Sequence, residues 1–112
     1  MLNIRIENNI SASIPYDFED LKGELSFDLI DASTNKLLLE KGERLTNRHS
    51  RNFIEKGLKR ILVPFDEIYG KFFAQDIFNQ ETGEIFAEAG EEINENKIES
   101  LIKSNVNAFN II

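Results

Sequence analysis

The fold is decided by a stretch that the chain contains twice. Residues 28–63, DLIDASTNKLLLEKGERLTNRHSRNFIEKGLKRILV, align without a gap with residues 76–111, DIFNQETGEIFAEAGEEINENKIESLIKSNVNAFNI, at a constant offset of 48 positions. The identical positions in the first stretch include Asp28, Thr34, Glu40, Gly42 and Glu43. Two copies are fewer than a solenoid needs. We therefore predict two pseudo-symmetric copies packed around one core.

Each copy predicts the order strand, strand, helix, strand. In copy one, alternating apolar residues predict a strand over Leu25–Leu29, with a second at Leu37–Leu39. A short helix is expected over Asn47–Lys56, capped by the Thr46 hydroxyl and closed by Gly57 in a left-handed conformation. The last strand is expected over Leu58–Val63. The strand opening copy two is expected over Phe72–Phe78, and the other elements are Ile85–Ala87, a helix over Glu95–Ser104 capped by Asn94, and Val106–Ile111.

The remaining segments complete a two-layer α+β domain. Leu2, Ile4 and Ile6 alternate with polar residues, and the pattern repeats to Ile14, which predicts an N-terminal β-hairpin. Short helices are marginal alone, so they must dock on the sheets through apolar side chains. These docking residues are expected to be Phe53, Ile54, Ile98, Leu101 and Ile102. The predicted organisation is one domain, with residues 1–24 as hairpin and linker, 25–63 as copy one, 64–75 as bridge and 76–112 as copy two.

Composition excludes several functional classes. The chain has no cysteine, which removes disulfides and thiolate metal sites and fits a cytoplasmic location. The longest apolar runs fall short of the ~20 residues of a membrane span. The net charge of −7 disfavours nucleic-acid binding, because phosphates need a cationic surface. Residues 40–63 nevertheless hold seven Lys/Arg against three Glu, whereas residues 76–112 hold eight acids against two lysines.

The sequence offers only weak support for a catalytic or metal-binding residue. His49 is the only histidine and aligns with Lys97, so an exposed surface position is favoured over a general base. The spacing of the acidic run from Glu88 to Glu99 does not fit a calcium loop, and Glu95 lies where a helix macrodipole favours negative charge. Asp28 and Thr34 recur in both copies, as structural turn residues do. We predict no catalytic residue, no metal site and no cofactor.

The strongest candidate for a binding surface is a group of basic residues. Arg44, Arg48 and Arg51 crowd the start of the first predicted helix, the end at which the macrodipole disfavours cations. Two interpretations remain open. These arginines bind an acidic partner or phosphate, or they pair internally with Glu55 or with the acidic second copy, and internal pairing is favoured. The residues assigned to a possible partner contact are Arg44, Arg48, Arg51, Lys59 and Arg60.

Several motifs in one order resemble the β subunit of bacterial RNA polymerase. Residues 21–24, LKGE, followed by Ser26-Phe27-Asp28, resemble its LRGE…SFDI stretch, and residues 40–49, EKGERLTNRH, resemble EKGRRITARH. Val63-Pro64 with residues 68–76, IYGKFFAQD, is similar to VP…YIxGKxxAxD, and Thr82-Gly83-Glu84 matches TGE. The likeness runs from about residue 16 to the end. Ser50, where the family has an apolar residue, and Asn105 depart from the pattern.

The resemblance implies a non-catalytic module. The family region is an insertion, the external 1 domain, beside the lobe that flanks the DNA channel. It implies a surface platform for transcription regulators, the other polymerase subunits as partners, and a chain cut from a larger subunit. The parent assembly would be a DNA-directed RNA polymerase, a nucleotidyltransferase whose active site lies elsewhere. The alternative is a free-standing acidic adaptor that binds another protein.

Overall fold

The computed structural model describes residues 1–112 and divides them into two compact units that follow the duplication. Copy one lies in the unit Ser13–Val63, and copy two lies in the unit formed by Met1–Ala12 and Pro64–Ile112. The strands and helices form an α+β fold, as predicted. The assignment of residues 1–112 to a single domain stays a prediction.

Ten strands and three α-helices make up the fold. The strands are β1 (Leu2–Ile6), β2 (Ser11–Pro15), β3 (Gly23–Glu24), β4 (Leu29–Asp31), β5 (Leu37–Leu39), β6 (Arg44–Leu45), β7 (Arg60–Pro64), β8 (Ile77–Phe78), β9 (Ile85–Ala87) and β10 (Ala108–Ile111). The helices are α1 (Phe18–Leu21), α2 (Asn47–Glu55) and α3 (Glu95–Lys103), and a 3-10 turn covers Phe65–Glu67.

The unit that contains copy one is built on antiparallel pairs. β4 lies between β5 and β7, and its Ile30 and Asp31 are in register with Leu62 and Ile61 of β7. β3 pairs with β6 through Gly23–Leu45 and Glu24–Arg44. The buried apolar side chains of this unit come from its strands, from α2 and from the adjoining loops: Leu25, Leu29, Leu39, Leu45, Phe53, Leu58, Ile61 and Val63.

The unit that contains copy two pairs β1 with β10, placing Ile4 opposite Phe109. β8 and β9 form a separate two-stranded sheet, and Phe73 bridges Ile111. The buried apolar side chains of this unit are Ile4, Ala12, Phe65, Ile68, Phe73, Ala87, Ile93, Ile98, Leu101, Phe109 and Ile111. Phe73 and Phe109 pack with tilted rings whose centroids are 5.4 Å apart.

Equivalent hydrogen bonds hold the loops of both copies. The Asp28 carboxylate accepts the Lys41 amide at 2.8 Å, and Asp76 accepts the Ala89 amide at the same distance. Both carboxylates therefore tie together segments 13 residues apart. This confirms the structural role predicted for the recurring aspartates and shows that the duplication extends to loop geometry.

The expected opening strands are wrong in extent. Leu25–Leu29 is not continuous, because the chain bends at Ser26 and Phe27 between β3 and β4. The amide of Leu25 donates to the Glu43 carbonyl at 2.9 Å, while its carbonyl accepts the Gly42 amide at 2.9 Å. These bonds direct Leu25 toward a different strand from Leu29. Phe72–Phe78 is interrupted in the same way, and only Ile77–Phe78 forms β8.

The burial of the first helix also differs from the prediction at one position. Phe53 is buried, but Ile54 is 57% exposed. Successive helical residues are about 100° apart, so the face centred on Phe53 includes Ser50 three residues earlier. Ser50 is only 5% exposed and takes the inward place expected of an apolar residue. In the second helix, Ile98 and Leu101 are buried as predicted and Ile102 is half-buried.

Candidate functional site

The basic surface consists of Arg44, Arg48, Arg51 and Lys59, all of which are exposed. Arg44 lies on β6, Arg48 and Arg51 lie one turn apart on α2, and Lys59 directly precedes β7. The ion pairs in the structure are Lys22–Glu19 and Lys97–Glu91, so none of these four cations has an ionic partner within the chain. The expectation that Arg51 pairs with Glu55 is therefore wrong, while pairing of the arginines with copy two stays a prediction.

Arg60, the fifth predicted contact residue, is differently placed. Its side chain is half-buried, and Nε donates to the Ser13 hydroxyl at 3.0 Å. A terminal guanidinium nitrogen also donates to the Ser13 carbonyl at 2.8 Å. Two bonds to one residue fix the planar guanidinium in orientation. The structure thus gives Arg60 an internal role and separates it from the basic surface.

The start of α2 is fixed by a capping box. The Thr46 hydroxyl accepts the His49 amide at 3.3 Å, and Nδ1 of His49 lies 3.3 Å from the Thr46 amide that donates to it. These two bonds satisfy backbone donors that a helix N-terminus leaves without partners. The His49 ring also stacks on Phe53, with centroids 6.1 Å apart. His49 is half-buried and shapes the helix start, a role that sequence analysis missed.

A part-buried polar contact joins Tyr16 to α2. The Tyr16 hydroxyl donates to the Ser50 hydroxyl at 2.8 Å. Partial burial raises the pKa of Tyr16, although its hydrogen bond to Ser50 opposes that rise. In copy two the position of Ser50 is occupied by the buried Ile98. This pair explains why a serine is accommodated in the buried face, and nothing in the spacing of Tyr16 and Ser50 signalled it.

The electrostatics at the helix starts differ between copies. The first turn of α2 contains no acidic residue, whereas α3 begins with Glu95 and ends with Lys103. Helix macrodipoles favour the arrangement of α3. In addition, the Lys97 ammonium lies 2.6 Å from the Glu91 carboxylate, and this hydrogen bond lowers the pKa of Glu91. The prediction that the acidic run compensates the helix dipole holds for Glu95, while Glu91 serves an ion pair.

The chain gathers no group of three or more His, Asp or Glu side chains that can hold a metal ion. None of its three helices has the length and apolar character needed to cross a bilayer. The distinctive chemical feature of copy one is therefore a set of exposed cations without internal partners.

The sequence of this chain is similar to segments of known proteins. The chain is 46% identical over 69 residues to the RNA polymerase subunit β of Cereibacter sphaeroides, and 43% identical over 83 residues to that of Rhizobium leguminosarum. These matches cover 61% and 73% of the chain. The chain is homologous to a segment of the RNA polymerase β subunit. A similar match, 46% over 67 residues, is found with the β subunit of a Jannaschia species.

The homology is confined to a small part of the polymerase subunit. The matched segment spans only 5–6% of the length of these β subunits. No family model matches the chain. The resemblance to the β subunit predicted from the short motifs is confirmed by these alignments.

Proposed function

We propose that this chain is an accessory surface module of a DNA-directed RNA polymerase β subunit, corresponding to its external 1 insertion. The observation that carries the proposal is the 43% identity over 83 residues, which includes most of the chain. In this role the module supports transcription by binding other proteins, and it performs no chemistry itself. Its partners are the remaining polymerase subunits and transcription regulators.

The basic surface supports a contact with an acidic protein partner. Exposed cations at a helix N-terminus destabilise the helix by about 0.3–1 kcal/mol each. Arg48 occupies the second position of α2 and does not recover this energy through an internal ion pair. Arg51, one turn further along, also has no ionic partner within the chain. A residue that opposes local stability is more readily explained by binding than by folding.

The test combines cross-linking with charge reversal. A photoreactive residue at position 51 of the 112-residue chain is incubated with purified RNA polymerase and its regulators, and the same residue at position 99 serves as the matched control in copy two. We expect cross-links to polymerase subunits or regulators from position 51. The charge reversal Arg48→Glu, introduced into the same photoreactive chain, should abolish capture and leave the melting temperature unchanged or higher.

Two outcomes contradict the proposal. Unchanged capture with a lowered melting temperature would show that the arginines serve the fold. Absence of cross-links from both positions would favour a free-standing adaptor over a polymerase module.

A further inference from the structure

The two copies differ in whether their hairpin is hydrogen-bonded to their last strand. In copy one, β4 is hydrogen-bonded to β7, and the Ala32 amide extends the pairing by donating to the Arg60 carbonyl at 3.0 Å. In copy two, the corresponding hairpin of β8 and β9 remains a separate sheet that is not bonded to β10. The duplication therefore predicts a strand contact in copy two that the structure does not form.

The outer edge of β10 is consequently only half paired. The Asn110 carbonyl accepts the Ala74 amide at 2.9 Å, and the Ile112 amide donates to Phe72 at 3.0 Å. Backbone groups alternate in direction along a strand, so Ala108 presents its amide and carbonyl to the same outer side. Ala108 is exposed, and no backbone hydrogen bond joins it to β8.

A groove of about 880 Å³ occupies the place of the missing contact. Ile77 and Phe78 of β8 form part of one wall, and residues 108–110 of β10 form part of the other. Phe78 is 52% exposed and supplies an apolar surface. Within β10, the side-chain amide of Asn110 donates to the side-chain carbonyl of Gln75 at 3.0 Å, and both residues line the groove.

The charge of the groove selects its occupant. Asp76 and Glu81 are its charged lining residues, and no lysine or arginine lines it. Copy two as a whole holds eight acids against two lysines. A cationic segment is therefore attracted, while an acidic segment is repelled.

We propose that this groove binds an extended basic segment of another protein, which adds as a strand at the unpaired part of the outer edge of β10, around Ala108. Such strand addition obtains affinity from backbone hydrogen bonds and specificity from alternate side chains. Strand β4 of copy one, paired with β7, shows the same edge occupied by a segment of the chain itself. This surface is separate in residues and opposite in charge to the basic surface, so the proposal stands independently of the polymerase assignment.

The test uses synthetic peptides with the full 112-residue chain. The probe is a seven-residue peptide of alternating lysine and valine, and binding is followed by NMR shifts of backbone amides. We expect the largest shifts at Phe78, Ala108 and Asn110. The same peptide with alternate amides methylated keeps its charge but cannot pair as a strand, and it should bind at least about tenfold more weakly. A glutamate–valine peptide should not bind.

Two variants locate the site on the protein. Ala108→Pro removes the outward amide at an edge position that accepts proline, and it should weaken binding at least about tenfold. Glu81→Lys reverses a lining charge and should weaken binding about threefold, whereas the same reversal at the exposed Glu99 on α3 is the matched control. An unchanged circular dichroism spectrum establishes that each variant is folded.

Other results would overturn the proposal. Equal affinity of the methylated and unmethylated peptides would exclude strand addition, and shifts confined to α2 would place binding elsewhere. Failure of the lysine–valine peptide to bind would exclude a basic strand as occupant. Concentration-dependent dimerisation with shifts at Ala108 would identify a second copy of the chain as the occupant instead.

Discussion

Arg44, Arg48 and Arg51 in copy one stand where copy two has Glu92, Asn96 and Glu99. Over the same comparison, Asp28 and Asp76 bond to loop amides at the same 2.8 Å. The aspartates that hold the loops have thus been retained. By contrast, the charge is reversed at Arg44 on β6 and at Arg51 on α2, and it is lost at the position of Arg48. The two copies therefore share the hydrogen bonds that hold their loops, and they differ in the charge of the side chains that are exposed to a partner.

The largest effect is expected in the buried helix faces. Phe53→Ala should lower the free energy of unfolding by about 3–5 kcal/mol, and its counterpart Leu101→Ala by about 2–5 kcal/mol, because both side chains are buried. Ile54→Ala is the matched control and should cost less than about 1 kcal/mol, since Ile54 is 57% exposed. Urea denaturation measures all three. A loss at Ile54 as large as at Phe53 would show that the buried face is misplaced.

A smaller effect distinguishes the copies through the polar contact found only in copy one. Tyr16→Phe removes the donor to the buried Ser50 hydroxyl and should cost about 1–2 kcal/mol. The double variant Tyr16→Phe/Ser50→Ala should recover part of that loss, because no polar group is then left without a partner. Chemical denaturation of the two single variants and the double variant gives the coupling energy. Strict additivity would rule out the contact.

The shared loop carboxylates should respond alike. Asp28→Ala and Asp76→Ala each remove an acceptor of a loop amide and are expected to cost about 1 kcal/mol. Glu55→Ala removes an exposed carboxylate of α2 and serves as the control. Thermal unfolding of the three variants is sufficient. A difference of more than about 1 kcal/mol between the two aspartate variants would break the equivalence of the copies.

The smallest effect is a pH dependence specific to copy two. The hydrogen bond from Lys97 lowers the pKa of Glu91 below its ordinary value of 4.5. A lowered pKa in the folded state contributes stability above the ordinary value, and this contribution is lost as pH falls through the lowered value. Glu91→Gln should therefore reduce the loss of melting temperature between pH 6 and about pH 3. Glu99→Gln is the control, and an identical pH profile for wild type and Glu91→Gln would refute the ion pair.

The elements that the sequence predicted best are those with several agreeing local signals. Thr46 before α2 and Asn94 before α3 both cap through their side chains, as expected from polar residues that precede an apolar helical pattern. The interrupted strands were missed because Leu25, Phe27 and Leu29 keep the alternation of a single strand. Their separation depends on bonds from Leu25 to Gly42 and Glu43, which are distant in sequence.

The role of the basic residues as a partner contact stays a prediction, and the structure bears only on their exposure. The concentration of cations in residues 40–63 marked four exposed side chains correctly, yet it could not separate Arg60, whose bonds to Ser13 span 47 positions. The groove beside β10 could not be predicted from the sequence for a related reason. The alignment of the two copies equates β8 with β4, but it contains no information on which strand edge each of them reaches.

The left-handed turns carry a further consequence. Asn35 and Gly83 both have positive φ, at 59° and 77°, and so do Gly57 and Asn105, at 94° and 59°. Copy one thus has asparagine then glycine, and copy two has the reverse order. Each copy thus accepts asparagine at one of these two left-handed positions, so neither position requires glycine. An engineered tandem of two identical repeats, built from either half, should keep its chain reversals while its electrostatic character is chosen freely.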